Sequence, residues 1–337
     1  MDAVTVLPVE GGVCSLAWDG ADLVDPAGGG RRWRPDAGTA EPAFGDFGPA
    51  FDRAVLSPSG RHAVVHEERG TRGLVVDLAG RRVVRELVRA EYSADDYDYP
   101  VALGRLPDGR EVLVHCPEEY NVLQIEELAS GRRLTEGARE DVDVFHSRPA
   151  VSPDGRHLLV AGWVWHPYGV AEVYDLAGAL TDPAVLDRDG VLPISLASDG
   201  IDAEVTSACW LDADRLAIAT TDDGGDGGGG EDPGTGVERL GVWSIPARRW
   251  LHRSALDHAA GVLLGRGSQV VSLHGHPRLV DVATGAVVAE WPEAPVARRT
   301  GCYGVGHVPT PVAALSPDGG RLAVAQDEGI ALIGLPG

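Results

Sequence analysis

The chain is 337 residues long with a formal charge of −22, and all 29 of its fixed cations are arginine, because it contains no lysine. That charge excludes nucleic acid and anionic membrane as partners, since both need a basic footprint. The missing lysine excludes Schiff-base chemistry and any lysine-based phosphate site. With 45 glycines, 23 prolines and no long helical period, the expectation is many short strands joined by tight turns.

The N-terminal stretch MDAVTVLPVEGG has an early acid, no basic start and no long apolar segment, so it does not read as a signal peptide. No run of 18 apolar residues occurs, so no membrane span is expected. Cys14, Cys116, Cys209 and Cys302 are far apart and form no CxxC pair. Scattered thiols of this kind predict a reducing, cytoplasmic location.

One unit recurs along the chain. Its clearest copy, residues 151–180 (VSPDGRHLLVAGWVWHPYGVAEVYDLAGAL), reads as a strand ending at a Ser-Pro-Asp-Gly turn, a second strand, a long loop and a third strand ending at Leu-Ala-Gly. Proline presets φ for the turn and glycine takes the positive φ that closes it. Seven copies are found in chain order: residues 14–26, 54–87, 104–134, 151–180, 208–252, 261–291 and 313–336. Turns recur every 35–60 residues or so, the period of a four-stranded propeller blade with variable loops. The last copy stops after three strands, and residues 3–8 (AVTVLP) stand unassigned before the first. The N-terminal strand is therefore expected to become the outer strand of the last blade.

The SPSGR, LPDGR, SPDGR and SPDGG turns, with third strands ending VVDLAG, EVYDLAG, GVWSI and LVDVATG, resemble those of WD-repeat β-propellers over essentially the whole chain. The family's Gly-His pair appears at Gly306-His307, and its Trp-Asp ending is replaced by Val76-Asp77, Tyr174-Asp175 and Trp243-Ser244. The resemblance implies an all-β, seven-bladed β-propeller of four-stranded antiparallel blades, closed by the N-terminal strand completing the last blade. A single domain over 1–337 is expected, with blades at about 12–44, 45–91, 92–139, 140–191, 198–253, 256–293 and 300–337 plus the strand 3–8. It implies no particular partner or activity.

In a four-stranded meander the turns after strands one and three share one face, while the loops after strand two and between blades share the other. The first set is terse. The second is long and rich in aromatic and ionisable residues: 44–51, 91–100, 116–121, 141–148, 162–169, 274–277 and 300–311. Such loops are where binding is expected. Trp163, Trp165, His166 and Tyr168, with Arg148 from a neighbouring loop, are candidate anchors, because exposed Trp and Tyr carry much contact area at low entropic cost. Tyr97 and Tyr120 lie among acids that suit a basic peptide, and His146 and Tyr303 join the candidate binding residues.

His274 and His276 are two apart, so on an extended chain both imidazoles face one way, a weak signal for a divalent transition metal. No other cofactor is predicted. Residues 222–236 (DDGGDGGGGEDPGTG) read as an insertion in the fifth copy. The function expected is a module that binds a protein or peptide partner, suited to a basic one, at the loop-rich face and channel mouth. The alternative is a propeller enzyme (lyase, isomerase or hydrolase) or a small-molecule binder using His146, His166, His274, His276, Tyr303 and Glu119 at the same mouth. An enzyme would need these groups to converge in a water-poor pocket.

Overall fold

The turns singled out in the sequence all close through one set of bonds. The computed structural model describes residues 4–48, 50–140, 142–164, 168–188, 190, 203–222, 237–303 and 307–337. Gly60, Gly109, Gly155 and Gly319 take φ of 71, 90, 74 and 68°. Their amides donate to the carbonyls of Ser57, Leu106, Ser152 and Ser316 three residues back. At the far end of the third strands an acid closes the next turn. Asp25, Asp77, Asp175 and Asp281 accept from the amides of Gly28, Gly80, Gly178 and Thr284. The aspartate that ends each of these third strands thus works as a turn cap.

Between these turns the strands form antiparallel sheets of three or four strands, eight among the described residues. The first sheet holds Ala17–Asp19, Asp22–Asp25, Arg31–Arg34 and Thr39–Glu41. The second holds Arg53–Leu56, His62–His66, Arg72–Asp77 and Arg82–Val88. The fifth comprises Ala203–Trp210, Arg215–Asp222, Val237–Ser244 and Arg249–Ala255, and the sixth Val262–Arg266, Gln269–His274, His276–Asp281 and Val287–Glu290. In the seventh, Ala313–Leu315, Arg321–Gln326 and Gly329–Gly334 are joined on the outside by Thr5–Pro8 from the start of the chain. Thr5 opposes Leu332 and Pro8 opposes Gly329.

Two sheets depart from the expected four strands. The third (Val101–Arg105, Glu111–His115, Gln124–Glu127) has only a single bridge, Glu126 to Arg133, in place of an outer strand. The fourth (Ala150–Val151, His157–Val160, Glu172–Asp175) is followed by a helical turn, Leu176–Thr181, and a 3-10 turn, Pro183–Asp187. The Leu-Ala-Gly read as a tight turn instead starts that helix, because Asp175 caps it and alanine and leucine favour it. Asp187 then ties the segment to the third sheet through Arg139, whose Nε donates at 2.7 Å. The eighth sheet is an addition to the fourth repeat. It pairs Val144–Phe145 with Trp163–Val164, and those with Tyr168–Gly169, so two predicted loops become one small sheet.

The cores lie between sheets. Apolar clusters join the segments flanking the first sheet (Cys14, Ala27, Phe44 and Phe47) to the second, the second to the third, the third to the fourth, the fourth to the fifth, the fifth to the sixth and the sixth to the seventh. A further cluster, with Trp18, Leu23, Trp33, Ala323 and Ile330, joins the seventh to the first. The Trp18 indole donates to Ala314 O across that junction at 3.0 Å.

Deleting residues 2–9 removes the outer strand of the seventh sheet with the packing of Val4 and Leu7. The thermal midpoint should fall by roughly 10 °C; calorimetry giving an unchanged midpoint would refute the role of this strand. Gly109→Ala has open space and carries only the left-handed backbone strain, about 1–2 kcal/mol. At Gly155 a Cβ would run into the Arg105 carbonyl, so Gly155→Ala should cost at least twice as much in denaturant titrations.

Candidate functional site

Loops 91–99, 116–121, 141–148 and 300–303 come together with Trp163. Loop 91–99 is pinned by Arg89, which is 2% exposed. Its Nε donates to Gly70 O and its Nη2 to Ala94 O and Tyr97 O. The guanidinium lies 4.4 and 4.9 Å from the ring centres of Tyr97 and Tyr99. The loop then meets the one preceding the seventh sheet: Tyr97 bridges Tyr303, and the Asp98 amide donates to Cys302 O at 3.1 Å.

Over this junction the aromatic residues stack. Phe145 lies on Trp163 with ring centres 4.0 Å apart and planes 9° from parallel. Trp163 continues to Tyr303 at 5.2 Å, and Phe145 to Tyr120 at 4.5 Å. Tyr120 continues to Tyr92 at 5.0 Å, and Tyr97 meets Phe145 edge-on at 5.4 Å. Trp163 and Tyr97, expected to stand out toward a partner, are instead buried at 4% and 0% exposure. The small sheet turns Trp163 inward, and burial pushes the Tyr97 phenol up to about 12. Tyr120, Tyr168 and Tyr303 are half-buried. The exposed end of the stack is Tyr92, at 57%, which the sequence reading placed in the acidic loop without making it an anchor. Around it Glu91, Asp95, Asp96, Glu118, Glu119 and Asp143 are exposed.

Beside the stack, a network of ion pairs holds the loops. Glu68, 3% exposed, receives Arg53 at 2.7 Å, Arg299 at 2.8 Å and the Thr310 amide at 2.8 Å, with His307 Nε2 at 3.2 Å. Burial works against the Glu68 charge, yet Arg53, Thr310 and Arg299 together hold its carboxyl below the usual range. Asp98 is paired with Arg299 and, at 3.1 Å, with Arg148 Nε. Arg148 also donates to Gly301 O and takes φ of 43°. It therefore braces loops from within rather than offering itself to a partner. Glu68 and Arg299 escaped the sequence reading; the only local signal was the pair Arg298-Arg299 at the head of loop 300–311.

His146 is wholly buried, with Nε2 3.2 Å from Asn121 O. His274 and His276 do not share an extended strand. Gly275, at φ 75°, turns the chain between them, so they face each other across a hairpin. His276 Nε2 sits 3.0 Å from a Glu290 oxygen. Among the described residues no three His, Cys, Asp or Glu side chains gather to hold a metal ion. Glu119 is exposed at the acidic rim. Trp165, His166, Gly306 and residues 223–236 lie outside the described residues.

No family model matches this chain, and no curated protein does. Solved structures do, 849 chains of them, so the architecture is a widely used one. A chain of the crystal structure of the mitotic checkpoint complex is 15% identical with a TM-score of 0.63, over 99% of this chain and 94% of that one. A chain of Kuenenia stuttgartiensis hydrazine synthase is 12% identical with a TM-score of 0.63, over 97% of both. Likeness at these identities to proteins so different speaks for the fold, a β-propeller, and not for a shared chemistry.

Burial pushes His146 down to about 4, and His66, packed on Tyr99 at 5.2 Å, likewise to about 4. Both rings are thus neutral when folded and take up a proton, from an ordinary value of 6.5, on unfolding. Their contribution is complete above about pH 6.5 and is lost as pH falls toward 4, by up to about 3 kcal/mol each. Thermal midpoints should drop over that window, and His146→Asn should drop less steeply. Parallel curves for the two proteins would contradict this.

Proposed function

We propose that the chain is a protein-interaction module: one domain of seven blades, set in a ring closed by its own first strand, that receives a partner protein on its loop-rich face. The ring is supported by the unbroken series of apolar clusters from the first sheet to the seventh and back to the first, and by the pairing of Thr5–Pro8 with the last strand. The WD-like turns fit the same reading. In such a ring, loops 91–99 and 300–303 come from well-separated blades and meet above the axis. The channel mouth is then roofed by Tyr97, Phe145, Trp163 and Cys302, and a partner docks on the roof rather than entering beneath it.

The observation that carries this is Tyr92. A large aromatic ring, 57% exposed, forms the outer end of a stack whose inner members are buried. Rigid aromatic groups backed by a packed interior make binding anchors, and the surrounding acids favour a basic partner surface. Tyr120, whose hydroxyl donates to Asp143 at 3.1 Å, stands beside it. Four free cysteines fit a reducing cytoplasm. Among the described residues no helix is long and apolar enough to cross a membrane.

The test is affinity capture with quantitative mass spectrometry. Tyr92→Ala should lose the partner at least tenfold, equivalent to about 1.4 kcal/mol or more, with little change in thermal midpoint. Asp108→Ala, in a tight turn on the opposite face, should retain it. Recovery of the same proteins by the Tyr92 variant would end this reading.

A further inference from the structure

A second grouping lies on the loop-rich rim between the fifth and sixth sheets and touches the aromatic stack through Tyr303. In the fifth sheet Glu204 opposes Thr221, and Thr221 opposes Glu238. Directly opposed residues of antiparallel strands share a face, so the two acids flank the threonine in one row. Strand alternation puts Ala219 and Leu240, which pack toward the sixth sheet, on that same face. The row is therefore the rim of the interface between these two sheets. On the other wall, His274 continues the alternation of Val270 and Ser272.

Both acids are held in place by neutral donors. A bulge between Val205 and Ser207 brings Thr206 Oγ1 to Glu238 Oε1 at 3.2 Å, and the Ala260 amide donates to the same oxygen at 3.0 Å. Glu204 Oε1 accepts from the Gly169 amide at 3.2 Å and from the Tyr303 hydroxyl. Several other inward-facing acids are paired with arginine: Asp25 with Arg31, Glu68 with Arg53 and Arg299, Glu126 with Arg85, and Asp187 with Arg139, whereas buried Glu172 accepts from the Tyr174 hydroxyl. Among the described residues no arginine forms an ion pair with Glu204 or Glu238. Burial, with the neighbouring Glu204 charge, raises the Glu238 carboxyl.

A third acceptor points to what is missing. The Leu256 amide donates to Glu238 O and the Ala260 amide to its side chain, so the intervening loop closes over Glu238 with His258 at its middle. The His258 side chain is 10% exposed, its Nδ1 is engaged by Asp257, and its Nε2 is buried with no hydrogen-bond partner. Two carboxylates and a free imidazole nitrogen make three acceptors without a donor of positive charge. The described side chains do not gather closely enough for a metal ion. An ammonium group donates three hydrogen bonds, each near 2.8 Å and so longer than a metal–ligand bond.

We propose that this rim, with the 256–260 loop over it, binds an alkylammonium group, with its N–H bonds directed at Glu204, Glu238 and His258 Nε2. The chain has no lysine to serve as that group itself. The group belongs either to a free amine or to a lysine side chain of another protein. This site meets the inner end of the aromatic stack at Tyr303 and does not include Tyr92.

The test is calorimetric titration of the full chain with 1,5-diaminopentane and with a blocked Gly-Gly-Lys-Gly-Gly peptide. At least one should bind, and the tighter of the two identifies the source. Glu204→Gln and Glu238→Gln should each weaken binding at least tenfold, Asp108→Asn should not, and acetylation of the peptide lysine should abolish it. If Glu238→Gln fails to fold, His258→Ala is expected to show the same loss. Tyr92→Ala should bind amine normally, so the two sites fail separately. No binding of either probe, equal binding by the Gln variants, or binding of manganese(II) chloride in place of the amines overturns the proposal.

Discussion

Everything in this molecule depends on small sheets that are apolar on both faces. Neighbouring residues of one strand are committed to different cores: Val64 packs toward the third sheet and Val65 toward the first. Leu158 and Leu159 divide in the same way between the third and fifth sheets. Each such side chain gains about 1.5–3 kcal/mol only when a sheet lies on its own side. A sheet with one neighbour would leave half of that surface wet, so the sheets pack in series. This is why the strands read as continuous apolar runs rather than as alternating ones.

The same packing decides what the rims do. At one rim the chain turns back at once, and a glycine and a serine or aspartate suffice. At the other the connections are long, and polar backbone gathered toward the middle needs partners. Arginine provides them: Arg89 satisfies four carbonyls, and Arg148 and Arg299 join carboxylates to the carbonyl of Gly301. A planar guanidinium with five donors can serve several loops at once, which a lysine ammonium cannot do as well. The cations of this acidic protein are largely occupied internally, which leaves the outer face of the aromatic stack ringed by acids.

Architecture was legible where the signal was local. Pro-Asp-Gly turns, strand order and the spare N-terminal strand all follow from short stretches whose conformation their own residues determine. What depended on distant partners was not legible. Residues 141–148 and 162–169 look like loops until each supplies the other with a strand partner. Trp163 looks like a surface anchor until Phe145 and Tyr303 cover it. Leu176–Thr181 is too short to show a helical period, and its cap, Asp175, also ends a strand. Glu68, Glu204 and Glu238 carry no motif, because their meaning comes from arginines or from neighbours far along the chain.

The bonds that tie loops 91–99, 141–148 and 300–303 together span long stretches of chain. Arg299 reaches Glu68 across 231 residues and Asp98 across 201, and Arg148 reaches Gly301 across 153. Such bonds form only after the intervening segments have collapsed into place, because closing those loops in the unfolded chain is entropically unfavourable. Their closure is accordingly expected late in folding, and until then Tyr97 and Trp163 lack the cover that Tyr303 gives them, which makes the maturing chain stickier than the finished protein.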